Sequence, residues 1–183
     1  MFAVTPRLLL RPGWPEDAGA LFAAINDEAI VRNMARAPWP YRLEDARQFL
    51  SLPDDRNHPR WLIFSRTGGK PRLVGCIGID SRDRGEIELG YWISRPYWGK
   101  GYATEAGRAV LENARALGHR RLVASHFVDN PASASVLRKL GFKPTGRTVE
   151  LFSLGRNSDV RAIELSCLLE DEADSDDMRP LAA

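Results

Sequence analysis

Apolar residues recur along this chain with two periods, and the switch between them outlines the fold. Across Glu86–Ser94, Ile87, Leu89, Tyr91 and Ile93 alternate with Glu88, Gly90, Trp92 and Ser94. That is the period of a strand, in β-favouring residues. Pro96 ends the run, and the segment Trp98-Gly-Lys-Gly-Tyr-Ala103 turns the chain. A helix opens at about Thr104, with Ala106, Val110, Ala114 and Leu117 at helical spacing and Gly118 as its stop.

The same two periods place the remaining elements. Arg7–Arg11 reads as a short strand broken by Pro12 and the Trp14-Pro15 pair. Glu16 and Asp17 begin a helix striped by Leu21, Phe22 and Ile25, and Leu43–Leu52 is a second, with Ala46, Phe49 and Leu50 apolar. Between them, from Asp27 to Pro40, the pattern weakens. Trp61–Ser65 and Arg72–Ile79 are strands joined by a glycine hairpin, Thr67–Pro71, and the Glu86–Ser94 strand follows a short turn. Three strands joined by short turns argue for an antiparallel meander. Arg121–Val128 returns to the sheet through a helix, so it should lie parallel to Glu86–Ser94. Asn130 and Pro131 open another helix, with Val136, Leu137 and Leu140 on its apolar face and Gly141 closing it. Arg147–Leu154 and Val160–Leu168 are the last two strands.

The turn between Ser94 and Thr104 carries the chemistry. Strand, glycine turn and helix N-terminus together form an anion site, because glycines let backbone N–H groups approach phosphate oxygens and the helix dipole favours negative charge. A P-loop needs four residues between its glycines and a Gly-Lys-Ser/Thr ending, and neither is present. A dinucleotide fingerprint needs a third glycine where Thr104 stands. The stretch resembles motif A of the GNAT acetyltransferases, Gln/Arg-x-x-Gly-x-Gly/Ala, read here as Trp98-x-x-Gly101-x-Ala103. Tryptophan departs from the general pattern but resembles the branch of ribosomal-protein N-terminal acetyltransferases. The opening Thr5-Pro-Arg-Leu-Leu-Leu-Arg-Pro resembles the same branch.

The resemblance, over residues 5–168, implies a definite architecture and cofactor. The fold class is α/β (α+β): a mixed, mostly antiparallel sheet of six to seven strands, with a parallel pair splayed at its centre and helices flanking it. Acetyl-CoA is the implied co-substrate, held at Ile93, Ser94, Trp98, Gly99, Lys100, Gly101, Tyr102, Ala103, Thr104, Asn130 and Ser133. The amides of Gly99–Thr104 would cradle its pyrophosphate and the splay would admit its pantetheine arm. A backbone N–H near Trp92–Ser94 would serve the oxyanion. Asn130-x-x-Ser133 leading to Lys139-Leu-Gly-Phe142 resembles motif B. Many relatives place a thiolate-protonating tyrosine seven residues after that asparagine; Leu137 stands there, which excludes that mechanism for this residue.

Composition adds mostly exclusions. With 26 Lys+Arg against 24 Asp+Glu, the net charge of +2 makes no electrostatic case for nucleic acid. No apolar run approaches the roughly 18–20 residues of a membrane span, and the start carries no signal-peptide pattern. Cys76 and Cys167 fit no metal or redox spacing. These point to a cytoplasmic protein without a metal, as a monomer or homodimer. Residues 1–169 read as one domain, and the acidic stretch 170–183 as a disordered tail.

Acyl transfer from acetyl-CoA to an amine needs a base for the amine, a donor for the oxyanion and a proton for the thiolate. Glu150, flanked by Val149 and Leu151 in a strand, matches a catalytic glutamate of the ribosomal-protein branch, and Ser133 matches its thiolate-protonating serine. Against them stand a solvated surface glutamate and a serine that merely finishes a helix turn. Glu88 is the second base candidate, and His126, mid-strand, a weaker one. The acceptor reads first as a protein N-terminal α-amine, with a small amine (an aminoglycoside, a polyamine or an amino-acid derivative) as the alternative. A GNAT module that binds acyl-CoA without turnover is the reading from a different class. Trp39 and Tyr41, in the stretch that walls the acceptor site in relatives, are candidate substrate contacts or anchors on the core.

Overall fold

The computed structural model describes residues 1–82 and 85–169; the acidic tail read at 170–183 lies outside the described residues. Its elements run β1 (Ala3–Val4), β2 (Leu8–Arg11), α1 (Ala18–Ile25), α2 (Glu28–Val31), α3 (Leu43–Ser51), β3 (Arg60–Ser65), β4 (Arg72–Ser81), β5 (Ile87–Ile93), α4 (Tyr102–Ala116), β6 (Arg121–Phe127), α5 (Pro131–Lys139), β7 (Lys143–Ser153) and β8 (Ser158–Leu168). The strands form one sheet in the order β1-β2-β3-β4-β5-β6-β8-β7. Every neighbour pair is antiparallel except β5 with β6. The expected mixed sheet is present, with one strand more than expected because β1 adds a two-residue edge.

Helices cover the sheet on both faces, and each face has its own core. On one side α4 and α5 pack Tyr102, Ala106, Val110, Leu137 and Leu140 against Leu10, Ile63, Ile77, Leu89, Leu122 and Leu165. On the other, α1, α2 and α3 pack Leu21, Ile25, Val31 and Ala46 against Leu62, Phe64 and Cys76. Strand alternation sorts the site residues between these faces. Tyr91 packs on the α4/α5 side, while Trp92 packs on the α1–α3 side. Leu137 is fully buried in the α4/α5 core, so the position of the missing tyrosine is apolar packing.

The central parallel pair is splayed. β5 follows β4 from Ile87 to Ile93, and β6 follows β8 from Arg121 to Phe127. Between β5 and β6 the pairing is a single residue pair, Glu88 with Val123. Each strand is held by its outer neighbour, so the two part beyond that point and a gap opens toward Ile93 and Phe127.

The stretch where hydrophobic periodicity weakens is organised by capping and by long-range contacts. Asp27 accepts from the Ala29 N–H at 2.9 Å and starts α2. Beyond α2 the loop reaches the β7–β8 turn, where the Leu154 N–H donates to the Ala35 carbonyl and the Ser153 hydroxyl to that of Met34. Tyr41 is buried in the core and anchors the loop; Trp39 stays partly exposed.

Candidate active site

The gap between β5 and β6 presents unspent backbone groups. The Ser94 N–H donates to the Val74 carbonyl at 2.8 Å. In an antiparallel ladder hydrogen-bonded pairs alternate with non-bonded ones, so Trp92 and Gly90 also turn their polar groups to β4. Tyr91 and Ile93 turn theirs toward β6, beyond the last β5–β6 pair. Of the three residues named for the oxyanion, Ile93 is the one whose N–H faces the gap. Its carbonyl is taken, because the Trp98 indole N–H donates to it at 2.6 Å. Trp98 therefore folds its ring back along the strand end.

The turn after Trp98 is built on two left-handed glycines. Gly99 has φ 72° and Gly101 φ 77°, a region that costs a residue with a side chain roughly 1–2 kcal/mol. The conformation lets α4 begin at Tyr102, two residues earlier than the apolar spacing indicates. Gly101 is the N-cap and offers no side-chain acceptor to the first turn. Among the described residues, no side chain accepts from the N–H groups of Gly99–Thr104. The side chains of Tyr102 and Thr104 are buried, so at these two positions it is the backbone that a ligand would meet. Lys100 lies over the Tyr97 ring, its ammonium 5.2 Å from the centroid. Donors without partners, at the positive end of a fifteen-residue helix, suit the diphosphate of a coenzyme.

α5 points its first turn at the same gap, and this end is finished differently. Asn130 caps it, its side-chain oxygen accepting from the Ser133 N–H at 3.1 Å, and Pro131 at the first helical position has no N–H to satisfy. The Ser133 hydroxyl lies 2.8 Å from the Tyr91 hydroxyl. Burial pushes the Tyr91 phenol up to about 12, so it stays protonated. Tyr91 did not stand out in the sequence, because its place in the alternating strand fully accounts for an aromatic residue.

The candidate bases sit in different environments. Arg82 grips Glu88 from two sides, Nε donating to Oε2 at 2.6 Å and Nη2 to Oε1, and Nη2 also reaches the Ser125 hydroxyl. Glu150 is exposed and makes no side-chain hydrogen bond or ion pair among the described residues. It pairs with Arg161 in register, and the Val128 N–H donates to the Arg161 carbonyl. Glu150 thus lies level with the end of β6 and the start of α5, on the sheet face those helices cover. β7 is two strands from β6, about 10 Å away. His126 is buried, with Nδ1 2.9 Å from the Phe127 carbonyl, the environment of a packed histidine. Among the described residues, no His/Cys/Asp/Glu group is arranged to hold a metal, and no helix is long and apolar enough to cross a membrane.

A second set of residues at the glycine turn comes from the chain's beginning. Glu105, in the first turn of α4, accepts from the Thr5 hydroxyl at 2.6 Å, the Arg7 N–H at 2.9 Å and Arg7 Nε at 2.6 Å. Burial raises the Glu105 carboxyl, but the hydrogen bonds from Thr5 and Arg7 outweigh it and hold the group below its ordinary value. Arg7 Nη1 donates to the Lys100 carbonyl at 2.9 Å. These partners are some 98 residues apart in sequence, a separation that no periodic pattern reports.

Comparison with known proteins agrees with this geometry. Residues 7–143 match the family model described as the acetyltransferase (GNAT) domain. The uncharacterized N-acetyltransferase YoaA of Bacillus subtilis (strain 168) is 31% identical over 150 residues, covering 78% of this chain and 82% of its own. The crystal structure of a GNAT-family acetyltransferase from Bacillus anthracis superposes with a TM-score of 0.79 at 23% identity, over 93% of this chain and all of that one. RimL, a ribosomal L7/L12 α-N-protein acetyltransferase solved with coenzyme A, gives 0.73 at 18% identity, over 92% of this chain and 98% of its own. With the splayed pair and the uncapped glycine turn in place, the matched domain assigns the chain: it belongs to the GNAT acetyltransferase family and is an acyltransferase enzyme.

Proposed function

We propose that this enzyme moves the acetyl group of acetyl-CoA to a protein N-terminal α-amine. The observation that carries this reading is the modest supply of bases at the gap. Glu88 is bound by a guanidinium, so taking a proton would cost it an ion pair. His126 is enclosed in the core. Glu150 is left, an exposed carboxylate with no hydrogen-bond or ion-pair partner among the described residues. An α-amine, with pKa about 7.7–8.0, is within reach of such a base, whereas a lysine near 10.4 asks roughly 3–4 kcal/mol more at neutral pH. Likeness of fold to the ribosomal L7/L12 α-N-acetyltransferase supports the same acceptor.

The roles follow from position. The first-turn amides of α4 and the amides of the glycine turn hold the coenzyme diphosphate, and the thioester arm enters the gap beside Ile93. The Ile93 N–H faces the place where negative charge develops on the thioester oxygen. Glu150 takes the amine proton, the acceptor lying over β6 and β8 between the gap and β7 and waters closing what distance is left. The Ser133 hydroxyl returns a proton to the departing sulfur, with the Tyr91 hydroxyl beside it. Asn130 acts through Ser133, by fixing the turn that carries it.

The test is release of coenzyme A thiol over an acceptor panel: ribosomal-protein N-terminal peptides, the same peptides with blocked N-termini, aminoglycosides and polyamines. The free peptides should exceed every small amine in kcat/KM by about 100-fold, the 2–3 kcal/mol by which a fitted acceptor is distinguished. Blocking the α-amine should abolish transfer even where lysines remain. Preference for an aminoglycoside or polyamine would overturn the acceptor assignment.

A further inference from the structure

Arg7 stands at the coenzyme turn without being part of either motif. It belongs to the loop between β1 and β2, yet its guanidinium spends Nη1 on the Lys100 carbonyl and Nε on Glu105. The Lys100–Gly101 peptide is trans, since the one cis bond among the described residues is Trp39–Pro40. In a planar trans peptide C=O and N–H point in opposite directions. Holding the Lys100 carbonyl toward Arg7 therefore aims the Gly101 N–H away from Arg7, out of the turn. A free turn with two left-handed glycines could rotate that peptide and present a carbonyl to the phosphates instead, because glycine accepts either orientation.

Glu105 poses a second problem for an anion site. Its carboxylate lies in the first turn of α4, where an acidic residue stabilises the helix but repels a diphosphate at the same N-terminus. The Glu105 side chain is 15% exposed and the Arg7 side chain 40% exposed, so this charge is poorly screened by water and Arg7 is its only guanidinium partner among the described residues. Thr5 adds a neutral hydrogen bond and no charge.

We propose that Arg7 is a positioning residue for the coenzyme: it fixes the Lys100–Gly101 peptide with its N–H outward and cancels the Glu105 charge beside the phosphates. The inference rests on the coenzyme reading of the glycine turn. It makes the chain's first strands part of the coenzyme site, which motif A alone does not include.

Calorimetric titration of coenzyme A into the wild type, Arg7→Met, Glu105→Gln and the double variant tests it, with steady-state KM and kcat alongside. Arg7→Met should weaken coenzyme A about tenfold, the loss of one charge-assisted hydrogen bond. KM for acetyl-CoA should rise in step while kcat at saturation changes less than about twofold, since no group at the thioester is touched. Adding Glu105→Gln should recover roughly threefold of the loss, because the uncompensated charge is then gone. Arg7→Lys, which keeps the charge but not the fork, should fall between, and it serves in place of Arg7→Met if that variant does not fold. A folded Arg7→Met or Arg7→Lys that binds coenzyme A like the wild type overturns the proposal. So does a loss that falls equally on kcat and on acceptor KM, the mark of general loosening, or one that Glu105→Gln does not relieve. If the wild type itself binds no coenzyme A, the reading of the turn fails instead, and the two failures are told apart.

Discussion

Two helices aim their N-termini at one gap, and they differ in how many donors they have to give away. α4 begins at a glycine with no side-chain cap, and among the described residues its first amides find no side-chain acceptor. α5 begins at Asn130, which spends its oxygen on the Ser133 N–H, and at Pro131, which has no N–H to offer. The helix dipole is present at both ends. A dipole alone does not make a binding site; unspent donors do. On the proposed function the α4 end holds the anion, while the α5 end places one hydroxyl, Ser133, against Tyr91.

If the two ends divide the work in this way, substitutions at the α5 end should change kcat and leave coenzyme affinity nearly untouched. Glu150→Gln, level with that end, should show the largest effect: a general-base loss of about 10²–10³-fold in kcat at pH 6.5. The deficit should shrink as pH rises through the amine pKa, because solvent then supplies neutral amine. A near-normal rate at pH 6.5 would move the base role to Glu88 or to a chain of waters.

Ser133→Ala should be smaller, about tenfold in kcat and flat with pH, because a thiolate whose thiol has pKa near 8.5 leaves adequately without a donor. Asn130→Ala should be smallest. Loss of the cap costs about 1 kcal/mol of stability, read as a melting point lower by roughly 2–4 °C for a chain of this size, and coenzyme A affinity should fall less than about threefold. A larger loss of affinity than of stability would show that Asn130 touches the coenzyme and would erase the contrast between the two ends.

Much of this was legible from local sequence. The alternation Ile87–Ser94 fixes which residues of β5 face α4 and α5, and the glycine turn followed by helical spacing marks where α4 begins. Both are properties of neighbouring residues, and spacing reports neighbours. Helix α2 escaped because four residues are too few to set up a period. The bidentate hold of Arg82 on Glu88 escaped because a charged pair six residues apart follows no regular repeat once a turn intervenes. The Arg7–Glu105 pair, joining the first strands to the α4 N-terminus, is a tertiary contact of two residues whose charges read individually as surface. The guanidinium on Glu88 and the reach of Arg7 to the glycine turn are thus contacts that only the folded chain supplies.

Coenzyme binding in the proposed function depends on the Gly99–Thr104 amides being the anion cradle. Gly101 has a positive φ, and a Cβ placed there would lie 3.5 Å from Arg7 Nη2. Gly101→Val puts a β-branched side chain into a conformation it strongly disfavours and into the space the phosphates need. Calorimetric titration of acetyl-CoA into this variant, in a preparation whose circular dichroism matches the wild type, is the direct measurement. Affinity should fall by at least about 30-fold, the sum of a strained turn and a lost phosphate contact. A folded Gly101→Val enzyme that binds acetyl-CoA with wild-type affinity would contradict the assignment.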